Sequence, residues 1–215
     1  MPLDYETPRY IAIEGPIRVG KSSLARLLSE RLRARAVLDS EDNPFLRDFY
    51  EEQPGAAFKV QMNFLMERFR QLRCLGGENS RSVVVSDYLF EKDKIFAYIN
   101  LNDEELRLYD AYYDLLSQQA PAPDLVIYLQ AGPDVLRKRI ERKGVPLENE
   151  ISPEYLDAVI RAYEHFFYHY KQSKLLVVNT SDIDFVTNRQ DLEELLRTVT
   201  QPIRGTQYFL PLGSS

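Results

Sequence analysis

At 215 residues the chain is long enough to bury one full hydrophobic core, and its 44% hydrophobic and 28% charged residues are those of a soluble globular protein. A net charge of −6 argues against general nucleic-acid binding, which needs a basic footprint for the phosphate backbone. The one cysteine, Cys74, excludes an internal disulfide and fits a reducing cytoplasm, and neither an apolar signal core at residues 1–9 nor a membrane-length apolar run is present.

In chain order, the apolar run at 10–13 (Tyr-Ile-Ala-Ile) reads as a buried strand. A helix over 22–33 follows, with Leu24, Leu27, Leu28 and Leu32 at helical spacing. Residues 36–38 make a weaker strand. A helix over 56–75 carries Val60, Phe64, Leu65 and Phe69, and Gly76-Gly77 ends it. Val83, Val84 and Val85 form the next strand. Asp103 opens a helix to about Gln119, which Pro121 and Pro123 close. A strand at 125–129 precedes a helix from Pro133 through Ile140, and Pro153 begins another reaching about Tyr170. Residues 175–178 are the last strand and 191–198 the last helix. No element is assigned to 201–215.

Continuous apolar strands suit a sheet covered on both faces. Their alternation with helices predicts right-handed crossovers and an open parallel α/β sheet, whose ligands sit outside the carboxyl ends of the strands. One domain is expected over 1–215, with 1–8 and about 201–215 as flexible tails.

The string Gly15-Pro16-Ile17-Arg18-Val19-Gly20-Lys21-Ser22, with Ser23 behind it, matches the phosphate-binding pattern G-x-x-x-x-G-K-[ST] between a strand and a helix. Its glycines let backbone amides turn inward onto phosphate oxygens, and the helix N-terminus adds positive partial charge. Lys21 is expected to reach the β and γ phosphates of ATP, and Ser22 to ligate Mg²⁺. Asp87, at the carboxyl end of the Val83–Val85 run, is either a second Mg²⁺ ligand or only a helix cap. The basic run from Arg137 to Lys143 is either a solvated face or a lid over ATP, with Arg139 and Lys143 as its cations.

Taken with the downstream string Asp42-Asn43-Pro44-Phe45-Leu46, this loop resembles the bacterial branch of the deoxynucleoside kinases, which includes deoxyadenosine, deoxyguanosine and deoxycytidine kinases. The resemblance runs from about Arg9 to Val178. It implies a P-loop kinase fold with a five-stranded parallel sheet, ATP and Mg²⁺ as cofactors, and a homodimer built through a helix bundle. It implies transfer of the γ-phosphoryl of ATP to the 5′-hydroxyl of a deoxynucleoside, a purine before a pyrimidine. Asp39 is then the base that takes the hydroxyl proton, with Glu41 as second candidate. Gln61 and Arg68, two helical turns apart, read the nucleobase, with Arg68 paired to Asp93. Tyr50 and Glu148 hold the sugar 3′-hydroxyl. Phe64, Phe90 and Tyr88 are either stacking rings for the base or core residues.

Three positions depart from the family pattern. Many relatives have Glu where Asp39 stands, Asp87-Tyr88 lacks the usual arginine, and the lid reads Arg139, Lys143 and Val145 where arginines are common. A monophosphate kinase on the same scaffold and a non-catalytic nucleotide-binding protein remain alternatives. His165 and His169 have a metal-binding spacing, but no third ligand stands out and the stretch reads as a packed aromatic helix. Cys74 is expected to be buried or neutral. The stretch 179–182 lacks the lysine of a guanine-specificity loop and is read instead as approaching the adenine of ATP.

Overall fold

Tyr10, Ile11, Ala12, Ile13 and Glu14 form β1 (Tyr10–Glu14), buried along its whole length because strands flank it on both sides and the sheet is covered on both faces. The computed structural model describes residues 8–40, 42–75, 82–181 and 183–210. Around β1 the sheet runs β2 (Arg35–Val37), β3 (Val84–Ser86), β1, β4 (Leu125–Gln130), β5 (Lys174–Asn179) and β6 (Thr206–Phe209), every pair parallel. All carboxyl ends therefore lie along one edge. The expectation of five strands is corrected to six. β6 escaped sequence reading because only Phe209 of its four residues is buried, so it shows no apolar run.

Side chains alternate across the strands, so successive residues feed two cores. Ile11 and Ile13 pack with Leu24 and Leu28 of α1 (Lys21–Leu32), Ile140 of α6 (Pro133–Lys143) and Leu196 of α9 (Arg189–Val199). Tyr10 and Ala12 face the other way, onto Leu65 and Phe69 of α3 (Ala56–Arg73) and Tyr163 and Phe167 of α8 (Pro153–His169). That second core also takes Ile95 of α4 (Lys92–Asn100) and Tyr109 of α5 (Asp103–Ser117). Asn102 caps α5 with a reciprocal bond from Glu105, a strong local start signal.

Other differences from the sequence reading are local. The helix α4 and the short helices α2 (Leu46–Tyr50) and α7 (Pro146–Asn149) were not anticipated. α6 continues past Ile140 to Lys143 and stops at Gly144, whose φ of 68° is left-handed. The Gly76-Gly77 stop and Glu41 lie outside the described residues. Cys74 is exposed rather than buried. Tyr88 and Phe90, offered as stacking rings, are buried in the second core instead. No helix among the described residues is long and apolar enough to cross a membrane.

Candidate active site

The loop after β1 turns because two of its residues carry no side chain. Gly15 has φ 152° and Gly20 φ 113°. A Cβ on Gly15 would sit 2.3 Å from the Leu129 carbonyl oxygen, and one on Gly20 would sit 2.9 Å from the Phe185 ring. Val19 is fully buried and pins the middle of the loop. Gly20 caps α1 without any side-chain bond, so the first-turn amides are left for an anion. Lys21 Nζ folds back onto the loop, donating to the carbonyls of Gly15 (2.7 Å) and Pro16 (2.9 Å). Burial pushes its ammonium down to about 8, and Glu14 opposes that shift. Ser22 is exposed at the helix start and Ser23 is half-buried behind it.

Ile17, Arg18, Val19, Gly20, Lys21, Ser22 and Ser23 form one wall of a cleft of about 1280 Å³ along the carboxyl edge of the sheet. Gly15 and Pro16 are not on that wall; they act through their carbonyls on Lys21. β3, the neighbour of β1, delivers Asp87, and β2, next again, leads into Asp39. The strand order thus brings both acids to the same end of the cleft. The Asp39 amide donates to Asp87 Oδ1 at 2.6 Å, which locks the two loops together.

Asp39 is the hub of a buried charge cluster. Its Oδ1 accepts from Arg68 Nε (3.0 Å), and its Oδ2 accepts from Arg68 Nη2 and Lys92 Nζ, both at 2.8 Å. Burial opposes ionisation, but the charges of Arg68 and Lys92 outweigh it and hold the carboxyl well below the usual range. Arg68 Nη1 also donates to Asp93 Oδ1, and the Tyr109 hydroxyl donates to Asp93 Oδ2 at 2.9 Å. The Arg68–Asp93 pair is therefore buried rather than a surface ion pair. Asp93 is fully buried and off the cleft wall, its carboxylate bonded to Arg68 and Tyr109.

Gln61 faces the cleft two helical turns before Arg68 on the same face of α3, its Nε2 donating to the Asp93 carbonyl at 3.0 Å. The Phe64 ring lies 4.6 Å from the Arg68 guanidinium carbon. Asn43, from the Asn-Pro-Phe-Leu string, is buried and donates to the Val60 carbonyl, so that string anchors its loop on α3. Tyr50 lines the cleft, and burial pushes its phenol up to about 12, so it stays protonated and able to donate. Glu148 lines it too, but its partner is Arg18. The guanidinium makes a bidentate pair with it through Nε (2.6 Å) and Nη2 (2.5 Å), a contact that the sequence spacing of 130 residues hid.

Arg139 reaches from α6 to the Val19 carbonyl (3.1 Å) and to the hydroxyl and carbonyl of Thr180 (3.0 and 2.7 Å). It is thus tied to the phosphate loop rather than standing free above it. Lys143 is exposed at the mouth, and Ser181 and Asp184 from the turn after β5 line the same end. Among the described residues no cluster of three or more His, Cys, Asp or Glu is arranged for a metal, His165 and His169 included.

Two residues were missed by sequence reasoning. Glu14 is completely buried at the end of β1, where Oε1 accepts from the Gly15 amide (2.8 Å) and the Tyr163 hydroxyl (3.0 Å), and Oε2 from the Leu89 amide (2.8 Å). A lone acid closing an apolar strand was the signal that could have found it. Lys92 carried no such signal.

The deoxynucleoside kinase family model matches residues 11–204. The chain is 34% identical over 204 residues to a deoxyguanosine kinase of Bacillus subtilis (strain 168), an alignment covering 92% of this chain and 99% of the relative. It is 28% identical to a deoxyadenosine kinase of Lactobacillus acidophilus (strain ATCC 700396 / NCK56 / N2 / NCFM), covering 90% and 96%. The structure of deoxyadenosine kinase from M. mycoides with bound dATP superposes with a TM-score of 0.77 at 24% identity, over 90% of this chain and 100% of that one, which establishes the shared fold.

Proposed function

The chain belongs to the deoxynucleoside kinase family, and from that premise we propose that it transfers the γ-phosphoryl of ATP to the 5′-hydroxyl of a purine deoxynucleoside for nucleotide salvage. Phosphorylation of a deoxynucleoside with ATP as donor is the reaction of the family. The purine preference is supported by the relatives in B. subtilis and L. acidophilus, named as deoxyguanosine and deoxyadenosine kinases. The observation that carries the reading is the shared cleft, lined by the phosphate loop, by Asp39 with its partner Arg68, and by Gln61.

In this reading the amides between Ile17 and Ser23 and the Lys21 ammonium hold the donor phosphates, with Gly15 and Pro16 shaping the loop behind them. Ser22 and Asp87 suit Mg²⁺, which takes one or two protein oxygens and keeps its remaining waters and phosphates. Asp87 spends Oδ1 on the Asp39 amide and has a second carboxylate oxygen for a cation. Mg²⁺, when bound, neutralises charge on the transferring phosphoryl. Asp39, held ionised, accepts the 5′-hydroxyl proton. Arg139 and Lys143 supply further positive charge at the donor end. Tyr50 donates to the sugar, and Glu148, fixed by Arg18, offers an acceptor beside it. Gln61 spends one amide N–H on the Asp93 carbonyl, and its own carbonyl can accept from an amino-bearing base, while Phe64 offers its face for stacking.

A single domain, a cytoplasmic location and a homodimer belong to the same reading. The dimer is supported by an exposed apolar stripe, Leu108, Tyr112 and Leu115 on α5 with Tyr98 on the adjacent α4. The substrate assignment is tested by single-turnover assays with labelled ATP against the four deoxynucleosides and their monophosphates. Deoxyguanosine or deoxyadenosine is expected to be labelled fastest. Labelling of monophosphates alone would overturn it.

A further inference from the structure

Lys92 is placed against two physical preferences. It is the first residue of α4, where the helix dipole disfavours a cation, and Asp93 beside it is the acid that such a position favours. It is also 4% exposed, and an ammonium in that setting has lost most of its hydration. Its partner is Asp39 Oδ2 at 2.8 Å, with the Tyr88 ring 6.0 Å away.

Arg68 already grips both oxygens of Asp39, but it is shared with Asp93, so Lys92 supplies the second positive charge for the two carboxylates. What Arg68 lacks is freedom. The same guanidinium serves Asp93 and, on the reading above, the nucleobase. Any shift of Arg68 toward a base loosens one of its bonds to Asp39. Lys92 comes from a different element, lines the cleft and reaches Asp39 without touching Asp93's side chain. It gives the carboxylate an anchor that does not depend on the nucleobase.

We propose that Lys92 is a positioning residue for the reaction, holding Asp39 aimed at the acceptor hydroxyl and acting through that carboxylate. The inference rests on the assignment of Asp39 as the base. It is tested in the full-length protein by steady-state kinetics and thermal melting of Lys92→Met, Lys92→Arg, Asp39→Asn and the Lys92→Met/Asp39→Asn double variant. Asp39→Asn is expected to lower kcat by about 100-fold or more. Lys92→Met is expected to lower kcat by roughly tenfold or more while KM for ATP and deoxynucleoside stays within about threefold, the pattern of an interaction used in the transition state. Lys92→Arg should recover part of that loss. The double variant should be no slower than Asp39→Asn to within about twofold, because the two residues act as one unit.

A Lys92→Met enzyme with normal kcat and only a lower melting temperature overturns the inference, as does a double variant whose losses multiply. If Lys92→Met does not fold, Lys92→Gln, which keeps a donor without the charge, carries the same expectations. A slow Asp39→Asn beside a normal Lys92 variant overturns this inference alone. Wild-type kcat in Asp39→Asn overturns the base assignment and the inference with it.

Discussion

Arg18 sits in the phosphate loop with φ 55°, the left-handed region that costs an L-residue about 1–2 kcal/mol. The strain is accompanied by the bidentate bond to Glu148, whose two side chains are 21% and 15% exposed, so the pair is partly screened and worth about 1 kcal/mol. The two effects nearly cancel, which leads to an inverted order among truncations. Arg18→Gly loses the pair and relieves the backbone, and its stability is expected to stay within about 1 kcal/mol of the parent. Arg18→Ala loses the pair and keeps the strain, and should be the less stable of the two by about 1 kcal/mol. Urea unfolding midpoints of the two variants decide the matter. An Ala variant as stable as the Gly variant would mean that the loop does not hold φ positive there. Legibility at this scale followed sequence locality. Lys21 and Ser22 were visible because the phosphate loop is contiguous, and so were Gln61 and Arg68 because they share a helix face. Asp39 and the Arg68–Asp93 pair were named through the resemblance, but the Arg68–Asp39 contact, Lys92 on Asp39 and Tyr109 on Asp93 were not, because they join different elements and buried ion pairs leave no periodic mark.

Among elements, β6 is the strand that composition conceals and packing explains. Thr206, Gln207 and Tyr208 are exposed, while Phe209 is buried beside Val178 in the register of β5. It extends the sheet at the edge opposite β2, on the far side from Asp39 and Asp87. Phe209→Ala is therefore expected to cost about 3 kcal/mol through the cavity it leaves. It should lower the melting temperature while leaving kcat at low temperature unchanged. A fall in kcat measured well below the melting point would show that the edge strand supports the site. By contrast, α3 was legible nearly to its ends, since Val60, Leu65, Phe69 and Leu72 repeat at helical spacing and are all buried. The helix α4 was not, because its opening Lys92-Asp93 pair reads as surface in a sequence and is buried in the fold.

At the scale of the molecule, the proposed site and the proposed dimer face lie at different places on the sheet's surroundings. Glu14 ends one of three adjacent strands and Asp39 and Asp87 follow the other two, closing one edge, whereas four exposed apolar side chains, Tyr98, Leu108, Tyr112 and Leu115, share the flank built by α4 and α5. Lys94 of α4 pairs with Asp110 and Asp114 of α5 at 3.6 and 3.7 Å, which braces the two helices side by side. Leu108, Tyr112 and Leu115 recur at i, i+4 and i+7, so they share one face of α5, and Leu115 is 64% exposed. A face of this kind on a helix pair is suited to burial against its own copy, and a self-complementary helix bundle is the simplest closed arrangement. Leu115→Arg places a charge on that face, and in a twofold interface it meets its own copy or the same apolar neighbours. The variant is expected to sediment as a monomer at concentrations where the parent is a dimer, with its fold intact by circular dichroism. A parent that is monomeric at tens of micromolar, or a variant that remains dimeric, would remove α5 from the interface.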